Sequence, residues 1–436
     1  MALHPSRQLG QNFLADSRVA RSIVELLEPA AGDALVEVGP GLGALPEHLV
    51  GRGRGLTLIE VDRRLAGRLA ERAAESERIE VVEADAATLD VRRFFAGRPV
   101  KVVGNLPYSA GGAILRNYLT NPSPVERAVF MLQKEVADRI CAVPGSKRYG
   151  ILTLRLQVRW AVRVAKVVPP EVFWPRPTVE SAVLVFEPRD RAELGAFDEK
   201  LFDRLVRQGF SQRRKQLRKL LPGAPVTWDE VAAALGVPET VRAEEIPLKG
   251  WVALTNLYDD HPLKSIAQSG DERFDVVDAD DVVTGQMRRA EVHAGGRRHR
   301  AVHIFVFNRS GELFLQKRSH LKDVHPGRWD SSAAGHLDAG EDYADAAKRE
   351  IREELGIDGG GHLEEIARVE ANEATGWEFV RLYRAAGEAK KIRWPASEIE
   401  TGAFFPVPLI KEWVERTPED FATGFLECFK RMNLQT

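Results

Sequence analysis

Cysteine is nearly missing from this chain: Cys141 and Cys428 are the only two in 436 residues. They lie far apart and match neither a disulfide framework nor a zinc-ligand spacing. That excludes a small disulfide-stapled scaffold and suits a reducing compartment. Long apolar runs are missing too. No uncharged stretch approaches the roughly 20 residues that a membrane-spanning helix needs. The N-terminus lacks the basic-then-apolar pattern of a secretory signal. Charge of one sign is also lacking, because 62 basic side chains balance 64 acidic ones. Contact with a polyanion therefore has to come from a local patch. Repeats and low-complexity tracts are absent. The expectation is a soluble cytoplasmic protein with no membrane contact.

The length exceeds one ordinary core, so two or three domains are expected. In the first half, β-branched apolar runs at 34–38, 56–59, 79–82, 100–103, 128–132 and 182–186 alternate with helical patterns such as 63–74 and 134–141. That rhythm predicts a doubly wound, Rossmann-like α/β domain over 1–188. Residues 189–260 turn helical, with Trp228–Leu235 the clearest piece. Polar residues with Pro262, Ser265 and Gly270 mark a linker at 261–272. A fresh strand pattern starts at Phe274 and passes through runs at 302–307 and 313–316. It continues into a helix at Tyr343–Leu355, a strand at 379–383 and a closing helix, so 273–436 forms another α/β domain.

Residues 36–43, Val-Glu-Val-Gly-Pro-Gly-Leu-Gly, follow the first strand and open a helix. Glycines permit a tight turn and close approach of backbone to a ligand. The spacing is G-x-G-x-G, with Ala44 where a dinucleotide site wants its third glycine, and this favours S-adenosylmethionine. Glu60 ends the second strand, where a carboxylate can accept hydrogen bonds from both ribose hydroxyls. Asp85 ends the third and can contact an adenine amine. Asn105-Leu106-Pro107-Tyr108 follows the fourth strand. An exocyclic adenine amine is a poor nucleophile because its lone pair is delocalised into the ring. The Asn105 side-chain carbonyl and the Leu106 backbone carbonyl can each accept an amine hydrogen, which aims the lone pair at a methyl group. Pro107 stiffens the turn and Tyr108 can stack on the base.

These motifs occur in family order with residues 11–14 (Gln-Asn-Phe-Leu), 131–137 (Met-Leu-Gln-Lys-Glu-Val-Ala), 144–150 (Pro-Gly-Ser-Lys-Arg-Tyr-Gly) and 172–177 (Val-Phe-Trp-Pro-Arg-Pro). Over about 3–258 the chain resembles the small-subunit ribosomal RNA adenine dimethyltransferases. The resemblance implies transfer of four methyl groups to two adjacent adenosines near the 3′ end of that RNA. It implies cofactor contacts at Asn12, Leu14, Gly39, Gly41, Glu60, Asp85 and Asn105, and catalytic roles for Asn105, Leu106 and Tyr108. It also implies Phe173 as a second stacking surface for a flipped adenine. Ser109 departs from the Asn that many members carry. Residues 144–150 and the long helical region favour the small subunit over methylation of large-subunit RNA, which stays an alternative. Residues 204–219 hold seven basic side chains, among them Arg213, Arg214, Lys215 and Arg218, and no acidic one. On a helix this makes a basic face for RNA phosphates above apolar anchors at Phe210 and Leu217.

In the second half, Gly335, Glu341, Arg349, Glu350, Ile351, Glu353, Glu354, Gly356 and Ile357 fill the pattern G-x5-E-x7-R-E-U-x-E-E-x-G-U, where U is aliphatic. Glu350, Glu353 and Glu354 share one helix face, and three crowded carboxylates call for Mg2+ or Mn2+ among them. Ala346, Ala347, Ile351 and Leu355 make the packed face, and Arg349 would orient a carboxylate. This is the complete box of the Nudix family, and it implies metal-dependent hydrolysis of a small diphosphate-linked substrate. Residues 299–303, 316–318, 326–330 and 335–336 resemble the branch that includes isopentenyl-diphosphate isomerase. That enzyme's catalytic cysteine is replaced here by Ala334, so hydrolysis is expected over isomerisation. His293, His299 and His336 are a candidate second metal cluster, as in that branch, and Glu378 is a candidate extra ligand or base. A binding module without turnover is the alternative for this half.

Overall fold

The computed structural model describes residues 11–261, 272–358 and 363–433. It divides into two compact units, Met1–Gly195 with Glu199–Tyr258, and Ala196–Asp198 with Asp259–Thr436. Most of the expected linker, 262–271, lies outside the described residues. Among the described residues no helix is long and apolar enough to cross a membrane, and Cys141 and Cys428 are both free thiols.

The first unit is built on a seven-stranded sheet in the spatial order Ile79–Glu83, Gly55–Glu60, Ala34–Val38, Val100–Asn105, Val125–Gln133, Ser181–Pro188 and Trp160–Val168. The first five are parallel, and Ser181–Pro188 runs antiparallel to both neighbours. Side chains alternate between two cores. Val36, Val102, Phe130 and Leu184 pack on one face with Ile114, Leu115 and Tyr118 of helix Gly111–Leu119. Leu35, Val103, Val129 and Val185 pack on the other with Ile23, Val24 and Leu27 of helix Ser17–Leu27. Strands buried on both faces need apolar residues at every position, which explains the unbroken runs in the sequence.

The helical region joins the same compact unit. Its helices are Glu199–Gly209, Trp228–Leu235 and Leu248–Tyr258. Trp228–Leu235 begins with a capping box, in which Thr227 Oγ1 accepts from Glu230 N and the Glu230 carboxylate accepts from Thr227 N. The basic run is not one continuous helix, contrary to expectation. Helix Glu199–Gly209 ends inside it, and Leu217–Lys219 forms a separate short turn. Gly209 at the end of the helix is closely packed, since a Cβ there would lie 2.5 Å from the Trp251 ring.

The second unit holds another seven-stranded sheet. At its centre His299–Phe307 runs parallel to Glu378–Ala386 and antiparallel to Ala333–His336. Helix Tyr343–Leu355 starts at Asp342, whose carboxylate accepts from Ala344 N and Asp345 N, and ends at Gly356 with φ of 64°. Ala346, Ala347, Ile351 and Leu355 face Val302, Ile304 and Val306. Phe305 points the other way, its ring 5.8 Å from that of Phe425 on helix Thr423–Asn433. The result is helix, sheet, helix.

Candidate functional site

One cleft in the first unit opens at the carboxyl ends of the parallel strands. It is lined by Asn12, Leu14, Gly39, Gly41, Glu60, Asp85, Asn105, Leu106 and Tyr108. Open α/β sheets bind ligands at this edge, where the helix N-termini converge. Gly39 and Gly41 have φ of 69° and 57°. Gly41 is also sterically required, since a Cβ there would come within 2.9 Å of the Phe13 ring. Glu60 ties this loop down: one carboxylate oxygen accepts from Gly41 N at 3.0 Å and the other from Asp62 N at 2.9 Å. Burial raises its pKa. Each oxygen still has a lone pair for a ligand hydroxyl. Asp85 is exposed at the cleft, with Oδ1 accepting from Ala87 N at 2.8 Å.

Residues 11–14 are fastened across the cleft from several sides. Phe13 and Leu14 pair antiparallel with Trp174 and Phe173. Ala15 N donates to Val172 O at 2.8 Å, and Gln11 Nε2 donates to Asp62 Oδ2 at 3.2 Å. Asn105 Nδ2 donates to the Asn12 carbonyl at 2.9 Å. Only the amide nitrogen can donate to that carbonyl, so this bond fixes which way the amide faces and leaves Oδ1 as the acceptor. The Tyr108 ring is restrained by a 3.1 Å hydrogen bond between its hydroxyl and Ser181 Oγ.

In the second unit, the glutamates of helix Tyr343–Leu355 sit over strand Ala333–His336. A Cβ on Gly335 would fall 1.9 Å from Glu350 Oε1, so glycine alone lets that carboxylate cross the strand. Arg349 donates to Glu341 at 2.8 and 3.0 Å, to Glu350 at 2.7 Å and to the His336 carbonyl at 2.9 Å. Glu353 is more exposed and lies 3.4 Å from the same guanidinium. Glu354 is buried, and its Oε2 accepts from Ala334 N and Gln316 Nε2, both at 3.1 Å. Burial lifts Glu350 and Glu354 well above the usual carboxylate range. Glu350 is balanced in part by Arg349, whereas the hydrogen bonds to Glu354 Oε2 come from neutral donors, and carboxylates crowded on one helix face are a hard-oxygen set that fits a divalent ion.

Beside them, His293, His299 and His336 offer ligand atoms that all lie within 4.8 Å of one another. His299 Nδ1 donates to the Arg297 carbonyl at 2.9 Å. Its Nε2 is buried with no hydrogen-bond partner. Glu378 Oε1 lies 3.0 Å from His336 Nε2 and 3.6 Å from His299 Nε2. Burial pushes His336 down, and burial with the neighbouring imidazoles pushes His293 down to about 4. Neutral imidazoles with one carboxylate are a donor set for a borderline transition metal or zinc.

Comparison with known proteins agrees with this division. A family model described as "Ribosomal RNA adenine dimethylase" matches residues 4–260. The chain belongs to that family. A NUDIX domain model matches residues 297–421, so this dimethylase-family protein is an enzyme with a methyltransferase domain and a Nudix hydrolase domain. It is 43% identical over 269 residues to "Ribosomal RNA small subunit methyltransferase A" of Leptothrix cholodnii, covering 61% of this chain and 96% of the relative. It is 42% identical over 259 residues to the protein of that name from Bordetella avium, covering 59% and 96%. Among solved structures it is similar to a dimethyladenosine transferase from Plasmodium falciparum, at 21% identity and a TM-score of 0.47, covering 56% of this chain and 95% of that one.

Within the dimethylase domain, one expected site residue is placed elsewhere. Phe173 is only 5% exposed and packs in the core with Leu14, Val168 and Val172. Phe173 is not among the residues that line the cleft. Two features of the cleft escaped the sequence reading. Phe13 lies against Gly41, as described above. Glu37 is buried at the base of the cleft with an unpartnered Oε2, and desolvation raises its pKa well above normal. Its signal was a carboxylate between two valines of an otherwise apolar buried strand. The basic residues also differ from one another. Arg213 donates to the Ser146 carbonyl at 3.0 Å, and Arg218 pairs with Glu239 at 3.1 Å. Arg214 and Lys215 are exposed with no acidic partner among the described residues.

Proposed function

We propose that the first unit transfers methyl groups from S-adenosylmethionine to two adjacent adenosines near the 3′ end of small-subunit ribosomal RNA. The observation that carries this reading is the Asn105 amide. Its nitrogen is held by the Asn12 carbonyl, so its Oδ1 is the acceptor in a cleft shared with the glycine loop and Tyr108. Asn105 Oδ1 and the Leu106 carbonyl accept the two amine hydrogens of a flipped adenine, and Tyr108 stacks on its ring. The sulfonium supplies an electrophilic methyl group with a good leaving group. The protein's share of catalysis is therefore positioning and electrostatics. Identity above 40% to small-subunit methyltransferases over nearly their whole length supports the substrate. The test is tritiated methyl transfer to unmethylated small ribosomal subunits. Asn105→Ala should lose transfer by at least about 100-fold, well beyond any loss of cofactor affinity. A rate near wild type would remove Asn105 from this role.

For the second unit we propose hydrolysis of a nucleotide-type diphosphate assisted by Mg2+ or Mn2+ at Glu350, Glu353 and Glu354. The three imidazoles and Glu378 hold a separate ion. The crowding of Glu350 and Glu354 over strand Ala333–His336 supports the first of these, and the convergence of the three imidazoles around the buried His299 Nε2 supports the second. A bound divalent ion would polarise phosphate oxygens and lower the pKa of a water molecule. Ala334 offers no nucleophile, so the chemistry is hydrolytic rather than isomerising. Screening the protein against diphosphate-linked nucleotides with and without Mn2+ tests it, and turnover unaffected by chelation would refute it.

A further inference from the structure

We propose that Trp174 is a stacking platform for a nucleotide of the single-stranded RNA segment that flanks the target adenosine; this deepens the methyl-transfer reading above and rests on it. Residues 173 and 174 are consecutive in a short strand, so their side chains point to opposite sides. Phe173 goes into the core at 5% exposure, while Trp174 is left 50% exposed. An indole that large is normally covered in a folded protein, and an open ring fixed in place is a recognition element. Trp174 is fixed. Its backbone pairs with Phe13, and the two rings lie near-parallel, 23° apart with centroids separated by 6.3 Å. Phe13 in turn lines the cleft and rests against Gly41 of the glycine loop. Gly41, Phe13 and Trp174 thus form a row that leads outward from the methyl-donor loop to an open aromatic face. A base displaced from its stack enters a cleft with its neighbours in the strand following. Aromatic faces at the rim are how single-stranded RNA is held without reading its sequence, because every base has a π face.

The test uses the full-length protein and a fluorescently labelled, adenosine-rich single-stranded RNA oligonucleotide. Trp174→Leu keeps an apolar contact on Phe13 but removes the π face, and Trp174→Phe keeps both. The Leu variant should bind the RNA about ten-fold more weakly or worse, and the Phe variant within about three-fold of wild type. S-adenosylmethionine affinity should be the same in all three proteins. RNA affinity that is equal in wild type and Trp174→Leu overturns the proposal, and so does a wild type that fails to bind the oligonucleotide. A parallel loss of S-adenosylmethionine affinity also overturns it, because Trp174 would then only prop Phe13. Methyl transfer to small ribosomal subunits is measured alongside. Trp174-dependent RNA binding without any transfer by wild type would sink the methyl-transfer reading and leave the platform standing.

Discussion

Metal binding at the carboxylate helix should be strongly pH-dependent, and the ion-free structure sets both the direction and the size. Burial pushes Glu350 up to about 7 and Glu354 up to about 8, from an ordinary 4.5. A divalent ion needs ionised carboxylates, so it has to expel whatever protons the pair holds. Each proton expelled weakens apparent Mn2+ affinity about ten-fold for every unit that pH falls below its release, so affinity should be at least about ten-fold weaker at pH 6 than at pH 8.5. The same displacement has an opposite consequence for the ion-free fold. A carboxyl whose pKa is raised on folding is favoured while protonated. Stability is therefore full below the unfolded value of about 4.5 and is lost as pH rises through the raised folded values. Added Mn2+ should recover that loss. Calorimetric titration at pH 6 and 8.5, in two buffers of different ionisation heat, counts the protons released. A His336→Ala background keeps the imidazole trio from contributing. Affinity that is flat between those pH values, with melting of the ion-free protein equally flat, would refute the argument.

Three other outcomes are expected. Gly335→Ala places a Cβ 1.9 Å from Glu350 Oε1; forcing the carboxylate aside should cost about 1–3 kcal/mol of stability in thermal melts and abolish most Mn2+-dependent hydrolysis. Arg214→Gln with Lys215→Gln should weaken RNA binding and reduce its log–log salt slope by about 0.7–0.9 for each phosphate that is no longer neutralised, while an unchanged slope would mark these residues as a merely solvated face. Arg213→Ala should in addition loosen residues 146–149, whose carbonyls at Ser146 and Tyr149 it binds, visible as faster proteolysis or amide exchange there.

How much was legible in the sequence depended on whether a signal was local. Inner strands of the first sheet, buried on both faces, read as apolar runs, the edge strand Ile79–Glu83 still showed one, and helix Tyr343–Leu355 was found from its carboxylate pattern and apolar face. Strand Trp160–Val168 was missed because it is an edge strand with a half-exposed face, where Arg163 and Lys166 interrupt the apolar pattern. Ala333–His336 was missed for its small residues, which are there to let a carboxylate lie across it. Glu60, Asp85 and Asn105 were legible because each sits at or just past a strand end, whereas Asn12 and Leu14 came only with the family resemblance. Asn105 and Asp85 needed only that position to be placed. Long-range pairing was not legible. Nothing in residues 11–14 or 172–177 says that they lie side by side, and that pairing decides which of Phe173 and Trp174 faces outward. The close approach of Gly209 to Trp251, more than 30 residues downstream, was likewise not legible.

The Gly335–His336 pair shows why the two candidate ion sites of the second unit stay separate yet adjacent. Consecutive strand residues point to opposite faces. At Gly335 the face is the one covered by helix Tyr343–Leu355, and the missing side chain leaves room for Glu350. At His336 the imidazole reaches the other way, toward Glu378, His293 and His299. The main chain between them is itself held, because Arg349 donates to the His336 carbonyl while also binding Glu341 and Glu350. One guanidinium therefore fixes the carboxylate on one face and the backbone that carries the histidine on the other. A change at Arg349 should disturb both ion sites together, whereas a change at Glu378 should reach only the imidazole side.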